Sequence, residues 1–241
     1  AATNFGLGRP EESRQTGASK RSRNDGVQHR SSGGLPKEKG KSVKTPDPHL
    51  FCFGLGFSGQ ALARLALARG WQVSGTVRSE AKAARLREQG INALVLDTDA
   101  ANRLPADIID AIQRSTHLLQ SVGTARSGDD PVLSLLAQAA EVMATDWAPD
   151  WLGYLSTTVV YGDWQGAWVN EDSQTRSTST RGLARLRAEA AWTGLSAARG
   201  LGPHVFRLAG IYGSGRNALE TVLAGKARII DKPDQVFSRI H

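Results

Sequence analysis

The chain has 241 residues, a hydrophobic fraction of 40% and a net charge of +7, which predict an α/β domain with a substantial core. One cysteine excludes an intramolecular disulfide framework, and with five scattered histidines it leaves no cluster that has zinc-site spacing. No apolar run approaches the roughly 18 residues that a membrane span requires, so the sequence predicts a soluble protein that does not enter a membrane.

The positive charge is concentrated in the N-terminal segment. Residues 1–49 contain ten Lys/Arg and five Asp/Glu, whereas the remainder contains twenty and eighteen. Residues 1–48 are also rich in Gly, Ser and Pro, so we predict a disordered basic tail there. This tail resembles an organelle transit peptide, and a non-native leader is an equal alternative. The expected location is cytoplasmic, or an organelle stroma or matrix. Because the body is nearly neutral, nucleic-acid binding is not expected.

From His49 onwards, apolar runs of strand length alternate with helical patterns. The predicted strands are 49–54, 71–77, 91–97, 116–123, 151–162 and 204–213. The predicted helices are 59–69, 81–89, 106–114, 131–143 and 181–198. We expect Leu62, Leu65 and Ala66 to share one face of the first helix. The alternation predicts a Rossmann-type, doubly wound parallel sheet in an α/β domain over residues 49–212.

Three glycines, Gly54-x-Gly56-x-x-Gly59, follow the first predicted strand and open the first helix. In this context Gly54 permits a tight turn, and Gly56 lets the backbone approach a pyrophosphate. Gly59 lets the helix pack close to the strand. Phe57 and Ser58 lie with them at the helix N-terminus, where backbone amides face phosphates. The motif predicts a dinucleotide site; a glycine-rich turn without a ligand is the alternative.

The choice between NAD and NADP is predicted from the end of the second strand. Arg78 and Ser79 stand where an acid would bind the adenosine ribose, and an arginine can pair with a 2′-phosphate. This favours NADP over NAD, with a solvated loop role as the alternative for Arg78. Asp97, after the third strand, is expected at the adenine edge or capping the next turn. Ser121, after the fourth strand, is also assigned to the cofactor site.

Three later segments carry a resemblance to a known family: LSTTVVYGD (155–163), VNED (169–172) and FRLAGIYGSGR (206–216). Together they resemble the extended short-chain dehydrogenases/reductases, in the NAD-dependent epimerase/dehydratase branch. The resemblance covers about Leu50 to His241. It implies an NAD(P) cofactor, a small-molecule substrate and a substrate-binding part that begins at 213–241 and is truncated. It also implies that Thr157 bonds the substrate.

The chain departs from that family at the paired tyrosine and lysine that donate the proton and hold the nicotinamide ribose. When Glu189 is aligned with the family's glutamate, Arg185 occupies the lysine position and Arg181 the tyrosine position. No tyrosine is followed by lysine four residues later. The chain therefore resembles atypical members that lack the Tyr-x-x-x-Lys pair.

Two arginines at these positions restrict the chemistry. Arginine stays protonated, so Arg181 is a poor proton relay, although it can polarise an oxygen or hold a carboxylate or phosphate. Arg185 can keep the ribose hydroxyls in place, and proton transfer passes to Thr157 or Tyr161. A solvated i, i+4 pair on a helix face is the alternative for the two arginines.

The residues support two functions. The first is an NADP-dependent oxidoreductase or epimerase-like enzyme acting on a small hydroxyl or carbonyl substrate, with Thr157 and Arg181 orienting the reacting oxygen. The second is a dinucleotide-binding sensor or interaction module without catalysis. No metal is expected, and a homodimer is compatible with the sequence.

Overall fold

A computed structural model of the chain describes residues 47–140, 147–229, 231 and 236–241. The strands are β1 (His49–Phe53), β2 (Gln72–Val77), β3 (Asn92–Val95), β4 (His117–Gln120), β5 (Trp151–Thr157), β6 (His204–Leu208), β7 (Gly210–Ile211) and β8 (Arg239–Ile240). The helices are α1 (Phe57–Ala68), α2 (Glu80–Arg87), α3 (Ala106–Gln113), α4 (Pro131–Ala139), α5 (Thr180–Ala198) and α6 (Ala218–Leu223). Most of the predicted tail and the predicted helix end near Met143 lie outside the described residues.

Six strands form one parallel sheet in the order β3-β2-β1-β4-β5-β6. This order confirms the predicted Rossmann-type, doubly wound sheet. Strand order reverses between β1 and β4, and ligands of such sheets bind in the crevice outside the carboxyl ends of the strands at that point. The fold therefore brings the loops that follow β1 and β4 together at one edge.

Both faces of the sheet carry a hydrophobic cluster. Phe51 and Phe53 of β1 belong to the cluster beneath α3, α4 and α5. Leu50 and Cys52 belong to the cluster beneath α1 and α2. The alternation follows from the strand's two-residue period, and coverage on both sides is what a parallel sheet requires.

The apolar face predicted for α1 differs from the one that is buried. Gly59, Ala63 and Ala66 are buried, whereas Leu62 and Leu65 are 37% and 54% exposed. The reason is the close approach of the helix to the sheet at Gly59, where a Cβ would lie 2.7 Å from the Gly54 carbonyl oxygen. Small residues occupy such a contact, and the two leucines lie beside it.

The strands are shorter than the sequence pattern indicated, most of all the two predicted over 151–162 and 204–213. The strand predicted over 151–162 ends at Thr157, where the chain enters a 3-10 helix over Thr158–Tyr161. The Thr157 hydroxyl oxygen accepts a bond from the Val159 backbone N–H at 3.4 Å and so starts this turn. The strand predicted over 204–213 ends at Leu208, and Gly210–Ile211 pair with β8 in a separate parallel sheet.

Candidate functional site

In the glycine turn after β1, Gly54 and Gly59 are required sterically by the protein itself, whereas Gly56 is not. Gly54 has a φ of 83°, and a Cβ there would lie 2.9 Å from Val122 Cγ2. A Cβ on Gly59 would collide with the Gly54 carbonyl oxygen and approach Cys52 Sγ to 3.0 Å. At Gly56, by contrast, the nearest atom to a Cβ is the Gly54 carbonyl oxygen at 3.9 Å. Gly56 therefore faces open space.

Hydrogen bonds to Thr76 of β2 and from Gln60 of α1 hold the glycine turn in place. The Gly54 backbone N–H donates to Thr76 Oγ1 at 2.9 Å, and the Leu55 N–H donates to the Thr76 carbonyl at 2.8 Å. Gln60 Nε2 donates to the carbonyl oxygens of Leu55 and Gly56 at 3.0 and 3.1 Å. These contacts hold the turn in one conformation without occupying the side that Gly56 faces.

The N-terminus of α1 is left available to an anion. No side chain caps it, and its first turn contains no acidic residue. The first backbone N–H groups of a helix have no partner within it, and the helix dipole adds partial positive charge at this end. An uncapped 12-residue helix next to an open glycine fits a pyrophosphate.

A cleft of about 370 Å³ lies at this edge of the sheet and is lined by residues that follow β1, β2, β3 and β4. Of the predicted cofactor residues, Gly54, Gly56, Arg78 and Ser121 line it. The Ser121 backbone N–H donates to the Phe53 carbonyl at 2.9 Å, which continues the β1–β4 pairing into the cleft wall. The structure thus brings together groups that are far apart in sequence.

Six predicted cofactor residues lie outside the lining: Phe57, Ser58, Gly59, Ser79, Asp97 and Arg185. Gly59 is buried under the turn, and Ser58 is half-buried in the first turn of α1. The Asp97 carboxylate accepts from the Asp99 backbone N–H at 3.2 Å, which is the turn-capping alternative. Their cofactor roles stay predictions.

The Phe57 side chain contacts the segment that follows β7. A Cβ on Gly213 would lie 2.9 Å from Phe57 Cζ, and the Arg216 guanidinium carbon lies 5.5 Å from the Phe57 ring centre. The side chain therefore packs away from the cleft, although its backbone remains at the helix N-terminus.

The β2 side of the cleft is positively charged. Lys82 lines it beside Arg78, and neither forms an ion pair with a carboxylate in the part of the chain that the structure describes. Burial lowers the pKa of Lys82, and the charges of Arg85 and Arg78 lower it further. Sequence reasoning missed Lys82. The sequence feature that could have identified it is its position in the first turn of α2, directly after the end of β2.

Arg185 lies beside the other end of the cleft. Its Nη1 donates to Tyr154 Oη at 2.8 Å and to the Leu155 carbonyl at 3.1 Å. Its Nη2 lies 3.5 Å from the position of a Cβ on Gly123, which lines the cleft. Burial raises the pKa of Tyr154, and Arg185 partly offsets this. The guanidinium is thus held in a fixed orientation next to the β4 loop.

The remaining predicted catalytic residues differ in their surroundings. Arg181 is exposed and forms no side-chain hydrogen bond among the described residues, one turn before the half-buried Arg185. Thr157 is half-buried at the carboxyl end of β5. Tyr161 is buried, and its hydroxyl accepts from Arg207 Nη1 at 3.3 Å. Their catalytic roles stay predictions.

An ion pair between the buried Glu189 of α5 and the half-buried Arg207 of β6 connects these two elements with β5. Arg207 Nε lies 3.2 Å from both carboxylate oxygens of Glu189, and its Nη2 lies 2.9 Å from Oε2. The Ser156 hydroxyl also donates to Glu189. Bonding to Glu189 raises the pKa of Arg207. Because Glu189 is engaged in this way, it does not pair with the arginines nearer the cleft.

The structure describes residues 47–140, 147–229, 231 and 236–241. Within these ranges, no three His, Cys, Asp or Glu side chains are grouped so that they could bind a metal ion. No helix in the same ranges combines the length and the apolar character needed to cross a membrane.

The model of the NAD dependent epimerase/dehydratase family matches residues 54–233. Protein YeeZ of Escherichia coli K12 is 30% identical over 166 residues, which are 68% of this chain and 59% of YeeZ. A solved structure of a functionally unknown conserved protein from Silicibacter pomeroyi shares 40% identity with a TM-score of 0.66, covering 80% of this chain and 64% of that one.

UDP-glucuronic acid 4-epimerase from Bacillus cereus, solved in complex with NAD, has a TM-score of 0.52 at 17% identity, covering 68% of this chain and 57% of the epimerase. At that identity the likeness concerns the fold. The chain spans less than two thirds of the length of YeeZ and of both solved proteins.

Proposed function

The chain belongs to the NAD-dependent epimerase/dehydratase family, and on that basis we propose that it is an NADP-dependent oxidoreductase or epimerase-like enzyme acting on a small hydroxyl or carbonyl substrate. The observation that carries the proposal is the cleft at the carboxyl edge of the sheet. Gly56 and the uncapped start of α1 bound it on one side, and Arg78 and Lys82 bound it on another. When bound, the nicotinamide would supply or accept a hydride at C4.

Arg78 and Lys82 support NADP as the cofactor. Two cations without a carboxylate partner repel each other, and a dianionic 2′-phosphate between them would relieve that repulsion. Guanidinium and ammonium groups both form charge-assisted hydrogen bonds with phosphate oxygens. The adenosine ribose of NAD would offer hydroxyls instead and leave both cations unpaired.

The double variant R78A/K82A is expected to lose affinity for NADPH by more than about 100-fold, because each of the two charge-assisted bonds contributes about 1.5–3 kcal/mol. Affinity for NADH should change by less than about threefold, since NADH lacks the phosphate that these bonds recognise. Isothermal titration of both cofactors measures the difference. R69A removes an exposed arginine beyond the end of α1 and is the control. Equal losses for both cofactors would refute the NADP assignment.

Arg185 and Arg181 would bind and orient rather than transfer protons. Arg185 lies near Gly123 and would hold the nicotinamide ribose, while Arg181 and Thr157 would orient the substrate oxygen. Neither guanidinium releases its proton at working pH. A proton would therefore move through a hydroxyl, that of Thr157 or of Tyr161, and Arg207 Nη1 would hold the Tyr161 hydroxyl in position.

The proposal is tested by following NADPH absorbance with a panel of small aldehydes, ketones and keto acids. We expect oxidation of NADPH with at least one of them, and R185M should reduce kcat by about 100-fold through loss of positioning. The absence of a Tyr-x-x-x-Lys pair and the exposure of Arg181 favour a second candidate, a dinucleotide-binding module without catalysis. Tight NADPH binding with no turnover of any substrate would support this second function and refute the first.

A further inference from the structure

Three buried side chains connect α5 to the loop that follows β4: Gln120, Asp130 and Trp192, here called the Gln120 network. Gln120 Nε2 lies 3.1 and 3.0 Å from the two carboxylate oxygens of Asp130. Trp192 Nε1 donates to Asp130 Oδ2 at 2.8 Å. Gln120 and Trp192 are at most 1% exposed and Asp130 is 7% exposed, so water does not compete for these bonds.

The Asp130 carboxylate is the acceptor in each of its side-chain hydrogen bonds among the described residues. As the N-cap of α4 it accepts from the Val132 and Leu133 backbone N–H groups at 2.9 and 3.2 Å, in addition to Gln120 and Trp192. An ionised carboxylate has no hydrogen to give. The Gln120 amide must therefore present its NH₂ group to Asp130 and its oxygen to the other side.

That oxygen fixes the backbone of the cleft wall. Gln120 Oε1 accepts from the Val122 backbone N–H at 2.7 Å. Val122 Cγ2 in turn lies against Gly54, at 2.9 Å from the position of a Cβ there. The next residue, Gly123, lies beside the Arg185 guanidinium. The orientation of the Gln120 amide thus sets the backbone that lies between the glycine turn and Arg185.

We propose that Asp130 is a positioning residue for cofactor binding: by fixing the orientation of the Gln120 amide, it sets the Val122–Gly123 backbone that forms the wall of the cleft. The inference rests on the proposed function to the extent that NADPH occupies this cleft. Trp192 extends the effect to α5, so that the cleft wall and the helix that carries Arg185 are held in one arrangement.

The test is the variant D130N, whose single new property is an amide NH₂ in place of one oxygen. The amide oxygen stays at the α4 N-terminus, where two backbone N–H groups require it, so the NH₂ group faces Gln120 and Trp192. The Gln120 NH₂ group then keeps only its bond to the retained oxygen and meets a donor where Oδ2 accepted from it, so the Gln120 amide and the Val122 N–H that it binds are no longer fixed in one orientation. We expect NADPH affinity to fall about tenfold, as for the loss of one buried hydrogen bond.

The double variant D130N/Q120E separates positioning from stability. The carboxylate introduced at position 120 accepts from the new amide at position 130 on one side and from the Val122 N–H on the other, so the cleft wall returns to its native arrangement. Trp192 lacks its acceptor in both variants. We therefore expect the double variant to bind NADPH within about threefold of the wild type, although its melting temperature stays reduced like that of D130N.

I108V, a substitution of a buried α3 residue that lowers the free energy of unfolding moderately, is the stability control. It should leave the affinity for NADPH unchanged. If D130N does not fold, the variant Q120M replaces it in the test. Methionine has a similar volume to glutamine but cannot accept the hydrogen bond from the Val122 N–H. We expect Q120M to bind NADPH about tenfold more weakly than the wild type. Native affinity in D130N or Q120M, or a double variant as weak as D130N, overturns the inference. Absence of NADPH binding by the wild-type chain refutes the proposed function instead.

Discussion

Replacing Gly56 with valine is expected to abolish dinucleotide binding while the fold persists. Gly56 has φ −77° and ψ −158°, which an L-residue adopts without strain, and its Cβ position faces open space. The valine side chain would therefore fill the place where the backbone approaches a pyrophosphate. We expect affinity for NADPH to fall by more than about 100-fold, since the phosphate would lose its bonds to the helix N-terminus. Isothermal titration measures this loss.

The matched control is G194V in α5, where a Cβ meets no atom within 4 Å. This variant makes the same chemical change far from the cleft and should bind NADPH like the wild type. Circular dichroism should show native secondary structure for both. Wild-type affinity in G56V would mean that a dinucleotide does not occupy the turn.

Removing the Glu189 carboxylate should produce the largest loss of stability. E189A leaves the Arg207 guanidinium, only 23% exposed, and the buried Ser156 hydroxyl without the partner that holds both. Breaking a buried pair by deleting one member costs about 3–5 kcal/mol, because the other charge stays buried and unpaired. We expect the free energy of unfolding, measured by urea denaturation, to fall by about that amount.

The chain contains its own comparison, the exposed pair of Glu80 and Arg87 on α2, whose side chains are 67% and 44% exposed. E80A should change the free energy of unfolding by less than about 1 kcal/mol, because solvent screens such a pair. Similar losses for E189A and E80A would contradict the structural role given to the buried pair.

The sequence was sufficient for the fold and for the position of the glycine turn. Alternating strand and helix patterns and the spacing of Gly54, Gly56 and Gly59 are local properties, and the topology of a doubly wound sheet follows from them. Arg78 lines the cleft, and its position there depends on one strand end, although its cofactor role stays a prediction. These features need little knowledge of tertiary contacts.

Features that depend on packing were not predictable. Leu62 and Leu65 are exposed because α1 approaches the sheet through its small residues, a distance that hydrophobic periodicity does not encode. Lys82 reaches the cleft by the placement of α2 against the strand end. Asp130 caps α4 locally, but its contacts with Gln120 and Trp192 join residues 10 and 62 positions apart.

The central claim is that a dinucleotide lies along the carboxyl edge of the sheet, with its pyrophosphate at the start of α1. A crystal structure of the chain grown with NADPH tests it most directly. We predict pyrophosphate oxygens within hydrogen-bonding distance of the backbone N–H groups after Gly56, the 2′-phosphate between Arg78 and Lys82, and the nicotinamide ribose beside Arg185. Ordered NADPH bound elsewhere, with this cleft filled by side chains, would contradict the claim.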